Sequence, residues 1–230
     1  MTRAASIADG LARVRARIAA AEHAAGRPPG SVKLLAVSKK MTADDVRAAI
    51  AAGQRAFGEN YAQELRDKRA ALAADPEPPA WHYIGPLQSN KVKYVAGQVA
   101  LVHTVDSVAL LEAIAARGAP QACLVQVNVA GEAQKRGLAP ADLPALLDRF
   151  AAMSGLICAG LMVIPPFTDD PQDARPHFAA LRALRDREAA RPRPSVALDE
   201  LSMGMSADLE IAIAEGATIV RVGTAIFGGR

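Results

Sequence analysis

Aromatic residues make up only 4 % of this 230-residue chain, and no basic run is interleaved with them, so the pattern of a nucleic-acid surface is missing. Neither sign of charge dominates: 27 basic side chains face 24 acidic ones, for a net charge of +3. There are two cysteines, Cys123 and Cys158, each inside an apolar run. They are expected to be buried free thiols in a reducing compartment, and no Cys/His spacing supports a zinc site. No run approaches the ~18–20 apolar residues that cross a bilayer. Arg13, Arg15, Arg17 and Glu22 interrupt the first 26 residues while Ile7, Leu11, Val14 and Ile18 share one side, as in an amphipathic helix and unlike a signal peptide. A soluble, cytoplasmic protein is expected, with no membrane and no nucleic-acid partner.

Hydrophobic residues are plentiful, at 51 %, enough for a full core. Short apolar runs alternate with helical patterns along nearly the whole chain. Strands are expected over 32–39, 55–59, 81–85, 101–105, 122–129, 156–164, 201–203 and 218–222. Helices are expected between them over 42–52, 61–73, 90–96, 107–117, 140–153, 176–190 and 207–215. Eight such units can close as a (β/α)8 barrel or lie open as a doubly wound sheet. Even strand spacing, and the absence of G-x-G-x-x-G after the first strand, favour the barrel. The Pro-rich pieces 75–79 and 191–194 are loop-sized, so residues 1–230 read as one domain.

Alternate side chains share a strand face, so Leu35, Val37 and Lys39 lie on one side. If that side is the barrel interior, Lys39 emerges at the C-terminal mouth, where barrel enzymes hold their active sites. Desolvation there favours a neutral amine able to form a Schiff base. Ser206 stands where it can cap the helix over 207–215, with backbone N–H groups facing outward, and Gly223-Thr224 makes a second turn after the last strand. Barrels often hold a phosphate between the loops after strands seven and eight. Asp208 and Glu210 are first-turn acids that could satisfy the helix dipole instead. Arg221 shares a strand face with Gly223. It either pairs with a carboxylate such as Glu59 or donates to a pyridine nitrogen, which would keep that ring a poor electron sink. Asn60 is either a turn residue or a hydrogen-bonding group near a cofactor's ring hydroxyl. His82 is either a packed residue or a proton shuttle, and His103 and His177 have no companion in the sequence. A lysine amine near an anion cradle suits an aldehyde bearing a phosphate. An aldolase using Lys39 fits the spacing too.

The segments LLAVSKK, FGENYAQEL, WHYIGPLQSNK, LVHTVDS, VQVNVAGEAQKRG, GLMVIPP, LSMGMSADLEIAIAEG and RVGTAIFG run in order from residue 34 to residue 228. They resemble the pyridoxal phosphate homeostasis proteins of the YggS/PROSC type. The resemblance implies a barrel like the N-terminal domain of alanine racemases, holding pyridoxal 5'-phosphate as an internal aldimine on Lys39. It implies that Ser206, Gly223 and Thr224 hold phosphate, with Arg221 near the ring nitrogen. It also implies a role in buffering or delivering the cofactor and related B6 vitamers, with pyridoxal-phosphate-dependent apo-enzymes as recipients. Some members carry a second lysine two positions beyond the aldimine lysine. Here that position is Met41, with Lys40 and Lys135 nearby, which argues against a transfer route through position 41. A racemase of this type needs a second domain and an acid/base tyrosine. No second domain is expected after the last strand, and none of Tyr61, Tyr83 and Tyr94 stands out, so a non-catalytic monomer is expected.

Overall fold

The apolar runs of the sequence meet edge to edge and close on themselves in the computed structural model, which describes residues 2–132 and 135–229. The strands are β1 (Lys33–Val37), β2 (Ala56–Glu59), β3 (Ala80–Tyr83), β4 (Leu101–Val105), β5 (Gln121–Gln126), β6 (Leu156–Met162), β7 (Val196–Ser202) and β8 (Ile219–Val222). All pair in parallel in chain order, and β8 returns to β1 with Leu35 opposite Arg221, so the sheet is a closed barrel. Outside it lie α1 (Arg3–Ala24), α2 (Ala43–Ala51), α3 (Ala62–Ala71), α4 (Val108–Ala115), α5 (Leu143–Ala151), α6 (Arg175–Ala189), α7 (Leu209–Ala214) and α8 (Thr224–Phe227). This is the expected (β/α)8 architecture.

Period-two alternation divides the core into two layers. Leu35, Ile84, Leu101, Leu124, Met162 and Ile219 fill the barrel interior. The alternate residues, among them Ala36, Phe57, Val102 and Val220, pack outward under the helices. Helix α5 answers them with Leu143, Leu146, Leu147 and Phe150, all buried on one face at helical spacing. Helix α2 begins where Thr42 Oγ1 accepts from Asp45 N and Asp45 Oδ2 accepts from Thr42 N, a reciprocal cap that leaves two end donors satisfied. The 22-residue α1 lies across α2, α7 and α8. Its Gly10 fits there because a Cβ would stand 2.6 Å from Ile226 O.

Several boundaries differ from the sequence reading. The stretch read as a helix over 90–96 is a 3-10 helix, Ser89–Tyr94. Strand β7 begins at Val196, five residues before the expected start at 201. Its early part carries Leu198 at φ 58° and slips in register against β6 between Cys158 and Gly160, an irregularity that hides the alternation. Helix α7 is shorter than expected, and α8 was not anticipated. Cys123 and Cys158 are buried free thiols, and burial pushes the Cys158 thiol up to about 12. Among the described residues no helix is long and apolar enough to cross a membrane, and no cluster of side chains could hold a metal ion.

Candidate functional site

Lys39 is delivered by a short, tightly fastened turn after β1. Behind it, Ser38 is buried and its hydroxyl donates to Glu59 Oε1 at 2.6 Å. Lys68, on α3, donates to the same Glu59 oxygen and to Ser38 O, both at 2.7 Å. Burial pushes the Glu59 carboxyl up from its ordinary value, with the Lys68 ammonium opposing that shift. Lys40 takes a left-handed backbone (φ 62°) and its N–H donates to Glu64 Oε2 at 2.7 Å. Lys40 is exposed, so the turn separates the two lysines as the alternation predicts.

The C-terminal ends of β7 and β8 supply the opposite wall. Met205 N donates to Asp208 Oδ1, which closes the turn leading into α7. Asp208, not Ser206, is the N-cap residue of α7, and it makes no side-chain cap bond. The expectation that Ser206 caps this helix is therefore corrected. Its hydroxyl instead accepts from Thr224 Oγ1 at 3.2 Å. Glu210 is drawn away to Arg17 on α1, with bonds of 2.6 and 2.8 Å, and Arg17 also donates to Ser206 O. The two acids that competed for the dipole thus have other partners. Helix α8 begins at Thr224 with Gly223 as N-cap; the N–H groups of Ile226 and Phe227 donate to Gly223 O, which leaves those of Thr224 and Ala225 without an acceptor inside the helix.

Arg221 is buried beneath these turns. It donates to Ser202 Oγ at 2.7 Å and to Val163 O at 2.9 Å, and the alternative pairing with Glu59 is not formed. Burial pulls its guanidinium down to about 10, against the Asp208 carboxylate, so it stays charged at neutral pH. Asn60 stands at the end of β2. Its Oδ1 is buried with no hydrogen-bond partner among the described residues. Gly85 must be glycine beside it, since a Cβ would lie 2.0 Å from Asn60 O.

Lys39, Asn60, Ser206, Arg221, Gly223 and Thr224 line one cavity of about 350 Å³ at the C-terminal mouth, with Val37, Ile84 and Met205 among its apolar walls. All six sequence candidates therefore meet in one place. The histidines do not join them. His82 Nδ1 lies 2.9 Å from His103 Nε2, so His103 has a companion that its sequence position concealed. Tyr83 points elsewhere, donating to Asn60 O and Pro86 O, and burial pushes it up to about 12. Lys135 pairs with Glu132 at 3.2 Å, while Ala133 and Gln134 of the quoted segment lie outside the described residues. Sequence reading missed Ser202. Its only signal was a hydroxyl on the inward face of a strand whose start was misplaced.

Residues 10–230 match the family model of the alanine racemase N-terminal domain. A pyridoxal phosphate homeostasis protein of Pseudomonas aeruginosa is 48 % identical over 230 residues, covering 98 % of this chain and 96 % of that protein. A protein of unknown function from Bifidobacterium adolescentis superposes with a TM-score of 0.91 at 43 % identity, covering 97 % of this chain and 95 % of that one. The structure of PipY from Synechococcus elongatus with PLP bound gives a TM-score of 0.83 at 39 % identity, covering 96 % of this chain and all of PipY. A closed parallel barrel, matched over nearly its whole length by these relatives, identifies the chain as a member of the pyridoxal phosphate homeostasis protein family.

Proposed function

We propose that this protein binds pyridoxal 5'-phosphate at the mouth of the barrel and serves to hold and hand on the cofactor rather than to turn over a substrate. The observation that carries this reading is the convergence of Lys39 from one strand end with Ser206, Gly223, Thr224 and Arg221 from the two strand ends across the seam. Bound there, the cofactor supplies an aldehyde that an amine captures reversibly. The residues present fit it. Asn60 Oδ1 is a buried acceptor without a donor, as a ring hydroxyl would require. The Ser206–Thr224 hydroxyl pair and the start of α8 offer donors to a phosphate. Arg221 holds a positive charge with no carboxylate bonded to it among the described residues, which suits an unprotonated ring nitrogen and disfavours carbanion chemistry. The bonded hydroxyl of Tyr83 argues against an acid/base role for that residue. The cytoplasm, a monomeric state and apo-enzymes as recipients belong to this same reading.

The test is direct. Protein loaded with pyridoxal phosphate is expected to absorb in the visible, and borohydride is expected to fix the cofactor on Lys39, with Lys39→Ala losing both. Label recovered on another lysine overturns the site. Alanine racemisation is expected at background, and rapid turnover overturns the carrier role.

A further inference from the structure

A file of polar side chains crosses the barrel interior alongside the apolar residues that share it. Arg221 donates to Ser202 Oγ at 2.7 Å, Ser202 Oγ lies 2.9 Å from His103 Nδ1, and His103 Nε2 lies 2.9 Å from His82 Nδ1. Arg221, Ser202 and His103 are all buried. The directions of these bonds follow from counting protons. A guanidinium has no acceptor, so Ser202 Oγ must accept from Arg221. The hydroxyl's own proton then needs an acceptor, and His103 Nδ1 is the one within reach among the described residues. That leaves the proton of neutral His103 on Nε2, from which it donates to His82 Nδ1. The opposite order would strand the Ser202 proton in a dry interior.

We propose that Ser202 and His103 are positioning residues for Arg221, a one-way hydrogen-bond chain that fixes the guanidinium toward the cavity without neutralising it. The proposal rests on the reading of that cavity as a pyridoxal phosphate site. A carboxylate in the place of Ser202 would anchor Arg221 equally well but cancel its charge. A neutral hydroxyl and the carbonyl of Val163 anchor it and leave the charge for the ligand. The chain also has to stay uncharged itself, because a proton on His103 would put a second cation two bonds from Arg221. His103 is faced by His82 from β3, Ser202 from β7 and Arg221 from β8, with Lys33 and Glu200 acting on His82 and Asp208 on Arg221. Burial, before any of these charges, holds both imidazoles below their ordinary value.

Nitrogen-15 NMR of the cofactor-free protein is expected to show His103 as the neutral Nε2–H tautomer between about pH 5.5 and 8.5. In wild-type holoprotein the visible band is expected to be constant over that range. Ser202→Ala and His103→Leu are expected to bind pyridoxal phosphate about tenfold more weakly and to give a band that titrates. His103→Asn, whose Oδ1 can replace Nδ1 as the acceptor for Ser202, is expected to restore the constant band. An Nδ1–H tautomer, or wild-type affinity and a flat band in both Ser202→Ala and His103→Leu, overturns the proposal alone. Wild-type protein that takes up no pyridoxal phosphate overturns the reading of the site and the proposal with it.

Discussion

Lys68 donates to Glu59 Oε1 and to Ser38 O, both at 2.7 Å, in a place that water does not reach. Glu59 Oε2 has no partner among the described residues, so this carboxylate is already short of one bond. Lys68→Met would leave it with only the Ser38 hydroxyl for compensation. Breaking one side of a buried pair typically costs about 3–5 kcal/mol, and urea denaturation is expected to show a loss of that order. Lys68→Met combined with Glu59→Gln should recover part of it, because the unpaired charge is then gone. A single variant as stable as wild type would mean that Glu59 is neutral in the folded protein. The same two side chains hold Ser38, one residue before Lys39, so the single variant is also expected to weaken cofactor capture.

Among the elements, α1 stands outside the repeating pattern and yet touches the site. It presses on α8 through Gly10, ties α7 through Arg17, and reaches Phe227 O with Arg3 at 2.7 Å. Gly10→Ala must push α1 away from α8, whose first residue is Thr224. Overpacking of this kind costs about 1–3 kcal/mol, so the denaturation midpoint should fall and pyridoxal phosphate should bind more weakly. Loss of stability with unchanged binding would show that α8 is held by the barrel alone. The strand ends at Lys39, Asn60 and Gly223 were legible in the sequence because period-two alternation and glycine turns are local signals. The interior chain was not. His82, His103, Ser202 and Arg221 belong to β3, β4, β7 and β8, and His103 meets Ser202 only across the closed barrel. Local rules also misread the start of α7, where the buried Asp208 took the position assigned to Ser206. In β7 the positive φ of Leu198 interrupted the pattern that would have announced the strand.

At the scale of the whole molecule, the paired histidines, His103 buried and His82 partly so, make stability depend on pH. Both are held neutral when folded, His82 down to about 4, whereas in the unfolded chain they titrate near their ordinary 6.5. The unfolded state therefore binds more protons below that value, and stability is lost as pH falls from about 6.5 towards 4. Each fully differential histidine contributes about 1.4 kcal/mol per pH unit in this window. Denaturation measured at steps through it should give that slope, and His82→Asn, which keeps an acceptor for His103 but cannot titrate, should reduce it by about one histidine's share. An unchanged slope in the variant would place the acid sensitivity in the carboxylates.

The pairing of β1 with β8 has a consequence in time as well as in space. A ribosome makes Lys39 early, Ser206 only after seven strands and Gly223-Thr224 only after eight. On the proposed reading, a nascent chain displays the capturing amine long before it possesses the wall that would hold the phosphate. If both walls hold the ligand as proposed, stable capture follows synthesis of β8, and a loaded chain has already joined its first strand to its eighth. Loading is in this sense a report that the ring has closed.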